Sequence, residues 1–366
     1  MKDYPLIGRQ VDDIVQSEIQ SSNALRLLDR ADKRGMNRAG NNMGLRIFAA
    51  LAAVCLVLGA SPSYAGEQTY PDRPIKLVLP LSAGGPPDVI APVIGDQMAK
   101  RLNATVVVEN RPGNGAAVGT RSVAVADPDG YTLLFASTTA LSIVPFVFHN
   151  VDYDPIKSFV PIAGVSNGPM VVVIHPSVPA KTVQQLVAYA KANPGKLNYG
   201  SGIASPPHLA WALFTQVTGA DIFYVPYRAM ASAMTDLVAG EIQMMIDGTG
   251  PLLPYIQDGK ARALAVTGKT RSPEFPDLPT MIESGYPDYV LTFWTGVLAP
   301  AGTPAEIVTK LNGVINDSLK SPEVQAHLAR FNVEANLTTP QEFAAFIAAE
   351  ADKWGGIVKR TGIKVE

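Results

Sequence analysis

The stretch Ile75–Leu102, IKLVLPLSAGGPPDVIAPVIGDQMAKRL, joins two different periodicities through a loop of small residues. Ile75–Pro80 is a short continuous apolar run, as in a strand buried on both faces. Asp88–Leu102 spaces its apolar residues as an amphipathic helix does. Between them, Ser82, Ala83, Gly84 and Gly85 follow the strand, and Pro86-Pro87-Asp88 opens the helix. A glycine pair at that point leaves backbone N–H groups free of side-chain cover at the positive end of a helix, which suits a carboxylate or phosphate. Asp88 falls in the first turn, where an acid complements the helix dipole and can cap free N–H groups. The plainer alternative is a tight turn ahead of an acidic first turn.

Working outward, the alternation continues. Strand patterns at Thr105–Glu109, Thr132–Ala136, Met170–Ile174, Leu197–Gly200, Asp221–Val225, Ile242–Asp247 and Ala261–Val266 are interleaved with helix patterns. Those helices cover Val118–Ala124, Thr182–Asn193, His208–Thr218 and Met230–Ala239. Short apolar strands separated by helices predict an α/β fold of parallel sheets covered on both faces. The tail, Pro304–Leu319, Pro322–Arg330 and Pro340–Thr361, reads as helices with proline near each first turn. A boundary near Gly168-Pro169 and a return near Gly285–Tyr289 divide the chain into two lobes. Residues 66–168 with 290–366 form the first and residues 169–289 the second, each a sheet flanked by helices, joined by two crossing strands with a hinge and a central cleft.

The chain has 366 residues, enough for two domains with sizeable cores. Its formal charge of −2 provides no excess of cations for a phosphate backbone, so no nucleic-acid partner is expected. The single Cys excludes a disulfide framework, the four His are isolated, and neither metal nor cofactor is expected. Ile47–Ala60 is an apolar run too short to span a bilayer, preceded by Arg38 and Arg46 and followed by Ser63-Tyr64-Ala65. That combination predicts a secretory signal over residues 36–65, cleaved after Ala65, and a periplasmic protein. Residues 1–35, upstream of Met36 and Met43, read as an over-extended or disordered start.

Further polar residues gather where strands end. Ser137 and Thr138 follow the third strand, Tyr227 and Arg228 follow Asp221–Val225, and Asp247 ends its own strand. The loop Asn198–Ser205 supplies Ser201, Gly202 and Ser205 and runs into His208. Carboxyl strand ends are where open α/β sheets hold ligands. Gly113-Asn114-Gly115-Ala116-Ala117-Val118-Gly119 is spaced GxGxxxG, one residue too long for a dinucleotide fingerprint, and reads as a strand-to-helix turn. Ser201 lacks the GxSxG frame of a nucleophile elbow, because Tyr199 stands two residues before it. An exported serine hydrolase using Ser201 and His208 is therefore the alternative rather than the leading reading, and no enzyme is demanded.

The combination of Tyr70–Ala91 (YPDRPIKLVLPLSAGGPPDVIA), Val106–Gly119, Asp129–Ser137, His175–Ser201, Val225–Met230 (VPYRAM), Gly240–Gly248 (GEIQMMIDG), Gly259–Met281 and Phe293–Pro304 (FWTGVLAPAGTP) resembles the Bug-type substrate-binding proteins of tripartite tricarboxylate transporters. The resemblance runs from Tyr70 to Glu366. It implies a two-lobed periplasmic-binding-protein fold that closes on a small organic acid, the loops Ser82–Asp88 and Gly200–His208 holding a carboxylate in part through ordered water. It also implies Ser137, Thr138, Tyr227 and Asp247 on other cleft-lining segments. Membrane subunits of such a transporter, or a sensor kinase, are the implied partners of a monomeric receptor. Ile203-Ala204-Ser205-Pro206-Pro207 departs from a pattern more often rich in polar Asn, Gly, Ser and Thr, and Arg228-Ala229 stands where Lys-Gly is common. With Leu141, Ile203, Ala204, Pro206, Met230, Phe293 and Trp294 as candidate walls, the expected ligand carries one carboxylate and an apolar body. A dicarboxylate bridged to Arg228 is the second choice.

Overall fold

The computed structural model describes residues 70–82, 86–148 and 151–365. The expected export signal and residues 83–85 lie outside the described residues. Gln68–Glu366 forms one compact unit, and no described helix is long and apolar enough to cross a membrane.

The first half of the unit runs β1 (Ile75–Leu79), α1 (Pro86–Leu102), β2 (Val106–Asn110), α2 (Ala117–Ala124), β3 (Thr132–Ser137), a π-turn (Thr139–Ile143), α3 (Val144–Val147) and the long β4 (Phe159–Ile174). Next come α4 (Val183–Ala192), β5 (Asn198–Gly202), α5 (Pro206–Thr218), β6 (Phe223–Tyr227), α6 (Met230–Ala239), β7 (Met244–Gly248), α7 (Thr249–Gln257) and β8 (Arg262–Val266). The chain then returns through β9 (Thr292–Pro300), α8 (Ala305–Leu319), α9 (Pro322–Arg330), the short β10 (Glu334–Ala335) and α10 (Pro340–Thr361).

The strands pair in the order β2-β1-β3-β9-β4-β7-β5-β6, with β8 and β10 also on β4. β1, β2 and β3 are parallel, as are β5, β6 and β7, but β9 is antiparallel to both β3 and β4, and β7 is antiparallel to β4. The sheets are therefore mixed, not purely parallel. The difference arises in β4 and β9, whose full lengths the sequence pattern hides. In β4, Pro161, Gly164, Gly168 and Pro169 look like turn punctuation. The strand absorbs some of this irregularity in two register shifts, between Pro161 and Ala163 and between Gly164 and Ser166. Thr249–Gln257, which carries Pro254, forms a helix the apolar spacing did not announce.

Helices cover both faces. Ile75, Leu77, Leu133 and Phe135 pack beneath α1, α8 and α9, while Val78, Leu134, Trp294 and Leu298 pack beneath α10. On the other part of the sheet, Val172, Tyr199 and Ile246 lie under α4 and α5, and Val171, Val173 and Met245 under α6 and α7. Trp354 and Ile357, near the end of α10, join the α5 side, so the last helix touches both parts. Each fully buried aliphatic side chain contributes roughly 1.5–3 kcal/mol, which makes these layers the main source of stability.

Candidate functional site

Strand direction and register locate a cleft. Because β4 runs parallel to β1–β3 and antiparallel to β5–β7, the carboxyl ends of the two parallel groups point toward each other. β3 ends at Ser137, level with Thr295 of β9 and hence Ser166 of β4. β7 ends at Gly248, level with Met170. At about 3.3 Å per residue, the opposing ends are on the order of 13 Å apart along β4. Between those levels β4 carries Asn167, Gly168 and Pro169, paired with Trp294, Phe293 and Thr292. A Cβ on Gly248 would lie 3.2 Å from the Phe293 ring, so the end of β7 rests against this floor.

On the β1–β3 side, Ser82 is exposed and Asp88 sits in the first turn of α1. Asn110, at the end of β2, donates its side-chain N–H to Asp88 Oδ1 (2.7 Å) and to the Leu81 carbonyl (3.3 Å), tying the residues just after β1 to the helix start. Nothing in the sequence pattern marked Asn110. Ser137 Oγ accepts from the Ala140 N–H (3.4 Å). Thr138 is buried, and its hydroxyl accepts from the Trp294 N–H at 2.8 Å, joining the end of β3 to β9. Leu141 and Trp294 are fully buried, and Trp294 stands edge-on to Phe343 and Phe346. They serve as core rather than as the expected cleft walls. The glycine-spaced segment after β2 is a strand-to-helix turn: a Cβ on Gly119 would lie 2.4 Å from the Arg111 carbonyl and 2.8 Å from Pro80 Cα, an approach only glycine allows.

The β5–α5 loop is held from several directions. Ser205 is the N-cap of α5, accepting from the His208 N–H (3.3 Å) while its hydroxyl donates to the Gly202 carbonyl (2.6 Å). Ala204 takes a left-handed conformation, φ 52°, and donates its N–H to His208 Nδ1 (3.3 Å). That bond places the neutral ring's proton on Nε2. The imidazole stacks on Tyr224 with centroids 4.3 Å apart, and desolvation lowers its pKa to about 4. Tyr224 donates to the Ser201 carbonyl (3.1 Å). With this frame fixed, Ile203 is left 50% exposed at the loop's apex.

Ser201 is fully buried, and its hydroxyl points to the Gly202 carbonyl (3.4 Å). Ser201 Oγ turns to the Gly202 carbonyl and His208 Nδ1 accepts from Ala204; among the described residues no Ser201–His208 hydrogen bond is present, so the nucleophile–base pair of the hydrolase alternative is not assembled here. Tyr227 donates to Asp236 (2.6 Å), and desolvation with that bond pushes the phenol up to about 12. Arg228 is exposed. Asp247 is half-buried, accepts the Gly248 N–H on Oδ1 (2.7 Å), and has its pKa pushed up to about 6 by desolvation, which that bond partly offsets.

One residue of the crossing has no sequence signature. Buried Thr267 follows β8, accepts the Met170 N–H (2.9 Å) and donates to the Leu291 carbonyl (2.6 Å). A single hydroxyl thus joins both segments that pass between the two parts of the sheet. A lone Thr after an apolar strand carries no signal that would have found it.

A mixed α/β architecture with opposed strand ends across a crossing is that of the two-lobed solute-binding proteins, and solved relatives share it. The BugD periplasmic binding protein is 34% identical with a TM-score of 0.73, over 81% of this chain and 100% of that one. An R. palustris protein solved with adipate is 32% identical with a TM-score of 0.74, over 81% and 99%. Protein BugT of Bordetella pertussis is 36% identical over 326 residues, 87% of this chain and 97% of that protein. Residues 90–363 match the tripartite tricarboxylate transporter family receptor model. The chain belongs to that family, whose members are solute-binding receptors.

Proposed function

We propose that this chain is an exported receptor that captures a small organic carboxylate between its opposed strand ends and closes on it by a hinge. The observation that carries the reading is the convergence of β1–β3 and β5–β7 on one floor, the Asn167–Pro169 and Thr292–Trp294 crossing. The lobes are residues 66–168 with 290–366 and residues 169–289. The exchange of β4's partners, from β9 up to Pro169 to β7 and β8 from Met170, supports a hinge there.

Ser82, the backbone of Ala83, Gly84 and Gly85, Gly202, Arg228 and Asp247 contact the ligand. Ser137, Thr138, Ser201, Ser205, His208 and Tyr227 shape the walls, and Asp88 with Asn110 steadies the first loop. The adipate bound to the R. palustris relative supports a carboxylate as the ligand. A signal cleaved after Ala65 delivers a monomer to the periplasm, where it serves the membrane subunits of a tripartite tricarboxylate transporter or a sensor kinase.

Thermal unfolding against a panel of organic acids, with their amides and esters as controls, tests this. Saturating carboxylate at 100 times Kd stabilises by about 2.7 kcal/mol, a rise of several degrees in Tm, and small-angle scattering then shows a smaller radius of gyration. Turnover of esters with no response to any acid overturns the reading in favour of the hydrolase.

A further inference from the structure

At the end of β7 the cleft meets a carboxylate that is short of partners. Asp247 lies opposite Val171 of β4, and Met245, Val171 and Val173 bury apolar side chains around the same part of the sheet. The Gly248 N–H satisfies Oδ1 at 2.7 Å. Oδ2 has no hydrogen-bond partner among the described residues, and the residue as a whole is only half-buried. No Lys, Arg or His among the described residues forms an ion pair with Asp247, and Arg228, which follows β6, is exposed. The group is thus an enclosed acceptor with one reachable oxygen.

Its chemistry is opposite to that of the first loop. A second ligand carboxylate arriving here would set two anions together with one backbone N–H between them, which disfavours ionisation of both. A hydroxyl or amino group would give Oδ2 a charge-assisted hydrogen bond. We propose that Asp247 reads the far end of the ligand, accepting from a hydroxyl or amino group and turning away a second carboxylate. Ile203, half-exposed beyond the adjacent strand β5, provides apolar surface for the body between the two ends. With its carboxyl pushed up to about 6, Asp247 is ionised at pH 7.5 and available as an acceptor. This selectivity rests on the carboxylate-receptor reading above and narrows its ligand class.

Calorimetry at pH 7.5 with two matched triplets tests it: hexanoate, 6-hydroxyhexanoate and adipate; benzoate, 4-hydroxybenzoate and terephthalate. In at least one triplet the native protein binds the hydroxy acid at least tenfold more tightly than the diacid. Asp247→Asn, near-isosteric and uncharged, lowers that ratio at least tenfold, chiefly by tightening the diacid, and Asp247→Ser provides the same readout if the first variant folds poorly. A native preference for the diacid, or a ratio that neither variant moves, overturns the role of Asp247 while leaving the receptor reading intact. Failure of all six acids to bind the native protein overturns both.

Discussion

His208 and Asp247 each pay a desolvation penalty, but the penalty moves their proton equilibria in opposite directions. The imidazole, stacked on Tyr224 and bonded to Ala204, is held neutral, so folding through it is favoured above pH 6.5 and loses support as pH falls toward 4. The Asp247 carboxyl prefers its proton when folded. Its contribution is present below pH 3.8, the ordinary value, and is lost as pH rises through about 6. Asp247→Asn removes the second effect. Relative to the native protein, its unfolding free energy should rise by about 1–3 kcal/mol between pH 4 and pH 7, measured by urea unfolding at both values. His208→Gln should show the reverse slope, losing ground to the native protein as pH increases over the same interval. A flat difference for either variant would mean that its side chain is solvated in the folded state.

At the scale of strands and helices, hydroxyl groups tie the ends of elements together. Thr138 joins β3 to β9, Ser166 of β4 and Thr295 of β9 bond at 2.7 Å, and Thr267 links Met170 to Leu291. Thr267→Val keeps the shape but leaves a buried N–H and a buried carbonyl each short of this partner, at a cost of about 1–3 kcal/mol. Thr267→Ser should restore most of that loss, with urea unfolding as the measurement. Hydroxyl-bearing residues at strand ends were conspicuous in the sequence. What the sequence did not distinguish was a hydroxyl facing a ligand from one satisfying the backbone of a strand remote in the chain. Thr138 and Trp294, separated by 156 positions, illustrate the difficulty.

Across the whole molecule, contacts beyond the two through-segments connect the halves. The start of α7 sits so close to the turn after α9 that a Cβ on Gly250 would lie 2.5 Å from Phe331 Cα and 2.9 Å from the Arg330 carbonyl. Alongside, Asn332 donates to Ser272 Oγ at 2.9 Å. Gly250→Ala forces backbone apart at this junction and should lower stability by about 1–3 kcal/mol. The same variant should enlarge the ligand-free radius of gyration. Scattering and calorimetric unfolding check the two effects, and an unchanged value in both would show that the turn can shift without resistance.

The order of most short strands and helices was determined by sequence alone, because each carries a local apolar period that needs no partner to be read. Ile75–Leu79 with its following helix, Met230–Ala239 and the three proline-started tail helices are examples. So was family membership, carried by runs such as VPYRAM and GEIQMMIDG. Tertiary structure alone decided that β4 and β9 reverse direction against their neighbours, since proline, glycine and bulges mask strand periodicity while pairing repairs it. It also decided which polar residues keep a free edge. The motif around His208 looked the same whether its ring faced a ligand or Ala204, and Asp247 looked like any strand-end acid until desolvation and its single N–H partner distinguished it. Those properties depend on atoms brought from distant parts of the chain, and no local pattern records them.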